Sequence, residues 1–307
     1  MYPVLFRLGP LTIHWYGMMM ALGFFAALAN WTVLGRKEGR DFNFCSDLLF
    51  WIMIAGIVGA RIAYIAADPQ HFINHPSEII RVDRGGLIYY GGFLGAGIAI
   101  VTIARIHKQK LSSLMDFVIA SLPLAHTFGR TGCFLNGCCF GKLVSSGPGV
   151  RFPITSSAAW MQYEAGLITN ERVLRLMTHV KEGRMTHPML VDKLQQLVES
   201  GALAAADARA LPVHPVQLYE AAFNLSLFFL LRYAYKRRKT DGGILALYLL
   251  TYPVGRFCLE FFRGDFRVRL AGLSVAQLLS ITLFTIGWII FAWSRKNPRE
   301  EPIAQAT

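Results

Sequence analysis

Arg61, Arg130, Arg256 and Glu260 lie within or at the ends of long apolar runs of this sequence, where a charge is expensive. A charged side chain in hydrocarbon costs several kcal/mol by most measures, so it faces a cavity, a partner or a ligand. Tyr252, Arg256, Glu260 and Arg263 are spaced at relative positions 0, 4, 8 and 11. At about 100° per residue they share one face of a helix, roughly 80° wide. The spacing leaves two readings open. Arg256 and Glu260 form an ion pair that packs helices, or the face receives a ligand. Arg130 favours the second, because it is another embedded cation with no acid close in sequence. Cations in excess of acids suit an anion, and the planar fork of arginine suits phosphate.

Arg130 opens the stretch "GRTGCFLNGCCFGK", Gly129 to Lys142. The five cysteines are Cys45, Cys133, Cys138, Cys139 and Cys258, and no C-x-x-C occurs. His126 stands seven residues before Cys133, a poor spacing for zinc. No metal or cofactor is therefore expected. Cys133 and Cys138 either pair in an oxidising compartment or serve as small apolar filler. Glycine is dense in "DRGGLIYYGGFLGAG", with Gly85, Gly86, Gly91, Gly92, Gly95 and Gly97 beside Tyr89 and Tyr90. Such a density admits either a close helix neighbour or a lipid headgroup to the backbone.

The elements that must position these residues follow from composition. The chain has 307 residues, of which 54% are hydrophobic and 16% charged, which is a membrane composition. Its net charge of +12 does not gather into a patch with interleaved aromatics, so no nucleic-acid partner is expected. Seven apolar runs approach the length of about 20 residues needed to cross a bilayer. They cover 14–34, 47–67, 87–105, 114–132, 216–234, 243–263 and 272–293, the third also being compatible with a re-entrant segment. The fold class is thus an all-α polytopic integral membrane protein. Spans one to four fall in 1–132, a loop and small external helical head in 133–213, spans five to seven in 214–294, and a tail in 295–307.

Loop charge orients the spans. Arg36, Lys37, Arg40, Arg105, Lys108, Lys110, the run from Arg232 to Lys239, Arg295, Lys296 and Arg299 lie on one side. The short connections of the other side carry fewer: Arg7, Arg81, Arg84, Arg263, Arg267 and Arg269. The positive-inside rule places the amino terminus outside and the carboxyl terminus in the cytoplasm. The start, "MYPVLFRLGPLTIHWYG", lacks a basic region leading into an apolar core, so the first span is expected to remain as an anchor. Residues 155–210 are mixed polar and apolar at helical spacing and predict two to four short amphipathic helices.

In combination, "HWYG" (14–17), "GARIAYI" (59–65), "YYGGFLGA" (89–96), the Gly129–Lys142 stretch, "HPVQLYEA" (214–221) and "YPVGRFCLEFFR" (252–263) resemble, in order, the prolipoprotein diacylglyceryl transferases. The resemblance touches every span but the last, and the head carries none of it. It implies a bacterial inner-membrane enzyme that moves the diacylglyceryl group of phosphatidylglycerol to the lipobox cysteine of a prolipoprotein, with release of glycerol phosphate. Arg130, Arg256, Tyr252 and Tyr90 are the implied catalytic positions. Tyr16, Arg61, Gly91, Gly92, Asn136, Gly141, His214, Gln217, Tyr219, Glu220, Glu260 and Arg263 are the implied substrate-binding positions. The implied partners are phosphatidylglycerol, the prolipoprotein signal peptide and the bilayer.

Three departures accompany the resemblance. Tyr90 stands where many members have histidine, Cys133 replaces a common asparagine, and Cys138 replaces a polar or acidic residue. A phenol, with a reference pKa of about 10, is a poorer base than imidazole unless cations depress it. An active transferase with a variant site, a paralogue with another acceptor, and a lipid-binding or transport protein are the competing readings. A transporter predicts repeated halves, and the sequence shows none.

Overall fold

The computed structural model describes residues 4–8, 11–81, 86–144, 149–264 and 269–296. Arg84, Gly85, Arg267, Arg299 and most of the expected tail lie outside them. The elements run β1 (Val4–Leu8), β2 (Leu11–His14), α1 (Trp15–Gly35), α2 (Phe42–Ala67), α3 (Pro69–Asn74), α4 (Tyr89–Ile106), α5 (Leu111–Ile119) and α6 (Leu122–Asn136). They continue with α7 (Ser157–Glu164), α8 (Glu171–Lys181), α9 (His187–Glu199), α10 (Val216–Lys236), α11 (Gly243–Glu260), β3 (Arg269–Leu270), β4 (Leu273–Ser274) and α12 (Val275–Ser294).

Among the described residues, five helical stretches are long and apolar enough to cross a membrane: Trp15–Glu38, Phe42–Ala67, Tyr89–Ile106, Leu111–Asn136 and Val275–Ser294. Their exposed surfaces are apolar. On α2 alone Phe50, Trp51, Ile54, Ile57, Val58 and Ile62 all face outward, a patch that lipid solvates and water does not. α10 and α11 are the two remaining expected spans. Both are long helices, of 21 and 18 residues, but they carry Glu220, Asn224, Arg232 and Lys236, and Arg256 and Glu260, which lower their apolarity.

The structure is mostly helical, in keeping with the expected all-α class, and adds two short hairpins: β1 pairs antiparallel with β2, from Val4↔His14 to Leu8↔Leu11, and β3 pairs with β4. The fourth expected span, 114–132, falls within the Leu111–Asn136 stretch, which is built of two consecutive helices: α5 ends at Ile119 and α6 begins at Leu122. Pro123, in the first turn of α6, cannot donate to that ladder and disfavours helical backbone just before it. The glycine-rich run 89–106 is a continuous helix rather than a re-entrant segment.

The chain divides into two compact units. Unit 2 holds residues 24–122, 230–248 and 287–307, and within it α2 lies against α4 so closely that backbones touch. A Cβ on Gly59 would strike the carbonyl of Gly91, and one on Gly91 would strike that of Gly59. The glycine density therefore serves helix approach here. The buried carboxylate of Asp116 on α5 accepts the backbone N–H groups of Gly242 and Leu245 at 2.9 and 2.8 Å, capping the start of α11.

Unit 1 holds residues 1–23, 123–229 and 249–286. Between α6 and α10 it inserts the short helix α7 and the amphipathic helices α8 and α9 around their own core, which includes Phe152, Val173, Met177, Leu190 and Leu194. Side-chain caps start two of these helices, Ser156 on α7 and Asn170 on α8. Paired backbone closes the insertion at its base. Val150 and Val213 exchange hydrogen bonds at 3.0 and 3.1 Å, and Ala210 donates to Phe152 at 2.8 Å.

Candidate functional site

Unit 1 brings five embedded charges together. Arg130 is on α6, Glu220 is on the first turns of α10, Arg256 and Glu260 are on α11, and Arg263 follows α11. Glu220 is the hub. Its carboxylate lies 3.0 Å from Arg130, 3.8 Å from Arg256 and 4.0 Å from Arg263, while Arg256 also pairs with Glu260 at 2.8 Å. The acid that Arg130 lacks in sequence thus comes from another helix, 90 residues on. Among the described residues, three guanidiniums meet two carboxylates here. Glu220 and Arg263 are almost wholly buried, whereas the Arg130 side chain is 25% exposed and is thus the most accessible of the three cations.

α11 ends at Glu260, so Arg263 does not extend its helical face as the spacing predicts. Backbone pairing with the Gly129–Lys142 stretch pulls it out of the helix. Lys142 donates to the carbonyl of Phe262 at 2.8 Å and Gly264 donates to that of Phe140 at 3.2 Å, so Gly141 and Arg263 face each other as an antiparallel bridge. On the other side of the same loop Gly141 donates to the carbonyl of His214 at 2.9 Å. A Cβ on Gly141 would fall 2.6 Å from the Cβ and carbonyl of His214, so this glycine lets three strands of backbone converge.

Gln217, fully buried, donates to the carbonyl of Cys138 at 2.7 Å and secures the loop from α10. His214 and Tyr219 lie side by side, Nδ1 and Oη 3.4 Å apart. The Tyr252 ring packs 5.8 Å from that of His126, one turn before Arg130 on α6. His126 is a site neighbour that the sequence reading used only for its metal spacing. Its position four residues from Arg130 was the available signal. Tyr16, on the first turn of α1, packs against Gly132 and lies within electrostatic reach of Arg130 and of Cys133, Cys138 and Cys139. Asn136 ends α6.

All five cysteines are free thiols. Cys133, Cys138 and Cys139 nevertheless meet, with their sulfurs all within 4.8 Å of one another. The Cys139 thiol is held below the ordinary thiol range by hydrogen bonds from Cys133 and Cys138, and further by the charges of Arg263 and Arg130. The opposite face of α11 is apolar. Pro253, Val254, Phe257 and Cys258 line, with Ile281 and Phe284 of α12, a recess of about 200 Å³.

The remaining implied positions belong to unit 2. Arg61, buried on α2, donates to the carbonyls of Ile79 at 2.9 Å and Gly86 at 3.0 Å and to that of Glu78, and stacks over Tyr64 and Phe72. It organises the loop leading to α4. Gly91 and Gly92 face α2, and Tyr90, about half exposed, stands with Tyr89 on the first turn of α4.

Comparison with known proteins agrees with the sequence resemblance. Residues 3–293 match the family model described as prolipoprotein diacylglyceryl transferase. A phosphatidylglycerol--prolipoprotein diacylglyceryl transferase of Xanthomonas euvesicatoria is 32% identical over 99% of this chain and 95% of its own. Proteins of the same name from Burkholderia multivorans and Paraburkholderia phytofirmans are 31% and 32% identical, covering 97% and 99% of this chain and 95% and 96% of theirs. With its arginines gathered on Glu220 and its full length matched, the chain belongs to the prolipoprotein diacylglyceryl transferase family.

Proposed function

We propose that this chain transfers the diacylglyceryl group of phosphatidylglycerol to the thiol of a prolipoprotein lipobox cysteine and releases glycerol phosphate. The observation that carries the reading is the gathering of Arg130, Arg256 and Arg263 from three parts of the chain about Glu220, because guanidinium forks suit a phosphodiester. In the reaction a C–S bond forms at the glyceryl carbon while a C–O bond breaks, so negative charge grows on the departing phosphate. Guanidiniums held against that oxygen stabilise the transition state more than the ground state. Glu220 and Glu260 keep the cations in place. Tyr252 donates to the same phosphate, and Tyr90 contacts the acceptor.

Tyr16, Asn136, His214 and Tyr219 form the remaining contacts with lipid and peptide. Gly141 and Gln217 act by fixing the signature loop, and Arg61, Gly91 and Gly92 by setting the approach to Tyr90. The recess between α11 and α12 suits an acyl chain. The protein resides in the bacterial inner membrane with α10 and α11 completing seven spans, its amino terminus and head outside, and its carboxyl terminus in the cytoplasm. Fourteen basic residues on one side against six on the other support that orientation.

The test uses purified protein, phosphatidylglycerol and a lipobox peptide. Mass spectrometry should find a diacylglyceryl thioether together with an equivalent of glycerol phosphate. Absence of both products from folded protein that still binds the lipid would reject the reading.

A further inference from the structure

The three sulfurs beside the arginine cluster are held together by the backbone. Cys133 occupies the last turn of α6, and the chain then reverses through Gly137 at φ 73° and Cys139 at φ 62°. The Cys138 N–H closes the reversal on the Cys133 carbonyl at 3.1 Å, and Gln217 fixes the Cys138 carbonyl at 2.7 Å. Cys139 is one of three described residues other than glycine in the left-handed region. A side chain adopts that conformation only where its surroundings enforce it. The outcome is three thiols, partly buried, with every sulfur within 4.8 Å of the others.

Three thiolates form a soft donor set, suited to Zn(II) or Cu(I) rather than to Mg(II) or Ca(II). Zinc–sulfur bonds of about 2.3 Å in tetrahedral geometry place the sulfurs about 3.8 Å apart, so closing the set needs shifts of about 1 Å. Among the described residues no histidine or carboxylate joins the group. Three protein ligands with a fourth position open is the arrangement of zinc sites that act on a substrate, whereas structural sites are closed by four.

We propose that Cys133, Cys138 and Cys139 bind one zinc ion, whose open fourth position receives the sulfur of the acceptor cysteine. This rests on the transferase reading above. Metal ligation deprotonates a thiol outright at neutral pH. The acceptor S–H gives its proton to the water or hydroxide it displaces, and a Zn–S bond forms. The bound sulfur then attacks the glyceryl carbon. The C–O electron pair leaves with glycerol phosphate, and the weakly ligating thioether yields its place to water. Nothing is oxidised or reduced. The departures from the family signature then share one cause, because two of the new residues supply metal ligands and the third replaces an imidazole base by a phenol.

Cobalt(II) serves as the probe, added to reduced, metal-stripped protein in detergent, alongside elemental analysis of protein as purified. One zinc per chain is expected as purified. One equivalent of cobalt should give thiolate-to-metal charge transfer and tetrahedral visible bands, reversed by zinc. Cys133→Ser, Cys138→Ser and Cys139→Ser should each weaken cobalt binding at least tenfold with unchanged thermal unfolding of the apoprotein, and Cys45→Ser and Cys258→Ser should leave it intact. A lipobox peptide should shift the visible bands, and its Cys→Ser counterpart should not. The proposal falls if no charge transfer appears at stoichiometric cobalt, or if two of the three cysteines are isolated as a disulfide without metal. It falls equally if the bands ignore the peptide. Full transfer by metal-free protein would reject the zinc site and leave the transferase standing, while loss of transfer with zinc bound and peptide ligated would reject the transferase reading instead.

Discussion

Two glutamates in this protein collect arginines, and they do so in opposite styles. In unit 2, Glu38 accepts from Arg40 at 2.7 Å, from Arg238 at 2.5 Å and from the Tyr235 hydroxyl at 2.9 Å, all three at hydrogen-bond length. In unit 1, Glu220 is approached by three guanidiniums at 3.0, 3.8 and 4.0 Å, and a single one is that close. The first arrangement is tight and ties α10 to the end of α1. The second is looser about its carboxylate. A tight ion cluster fastens helices, whereas guanidiniums held less closely can turn toward an incoming anion. Arg61 repeats the lesson within unit 2, since its guanidinium is engaged by three backbone carbonyls.

The largest effects are expected from deleting a cation in each region. Arg256→Ala and Arg130→Ala should lower turnover by about a hundredfold to a thousandfold, the scale of losing a preorganised transition-state donor, while the protein stays folded. Arg61→Ala should instead lower the unfolding temperature and the yield of folded protein, with turnover per folded molecule falling far less. Equal losses of turnover from all three would erase the distinction between the two regions.

Removing the hubs should sharpen it. Glu38→Gln leaves buried cations without their counter-ion and should destabilise by about 3–5 kcal/mol, seen as early thermal unfolding in detergent. Glu220→Gln should combine a loss of stability with looser phosphate positioning, read as a raised KM for phosphatidylglycerol. A smaller effect is expected at Tyr90, where histidine should be tolerated and phenylalanine should reduce kcat by about tenfold or less. The smallest is a pair of glycines on α4. Gly91→Ala should destabilise by about 1–3 kcal/mol, because its Cβ meets the α2 backbone. Gly97→Ala, with nothing within 4 Å of the new carbon, should be neutral or stabilising by up to about 1 kcal/mol.

Much of the site was legible because membrane burial makes charge conspicuous. Arg130, Arg256 and Glu260 could be picked out from the cost of placing them in apolar runs, and the Arg256–Glu260 pair from helical spacing alone. Glu220 could be marked only through the family motif, since its partners come from α6 and α11 and no local period links them. Arg263 shows the limit of periodicity. Its spacing continues the α11 face, yet backbone pairing with Gly141 ends the helix first.

The sequence by itself determined the membrane class, the apolar helices and the family motifs, because hydropathy and local spacing are properties of neighbouring residues. Only the tertiary structure decided that the glycines of α4 admit a helix backbone and that Arg61 organises a loop. It also turned three cysteines with no metal-like spacing into one cluster. Each of those outcomes depends on groups far apart in sequence, or on a backbone reversal at Gly137 and Cys139 that residue spacing does not encode.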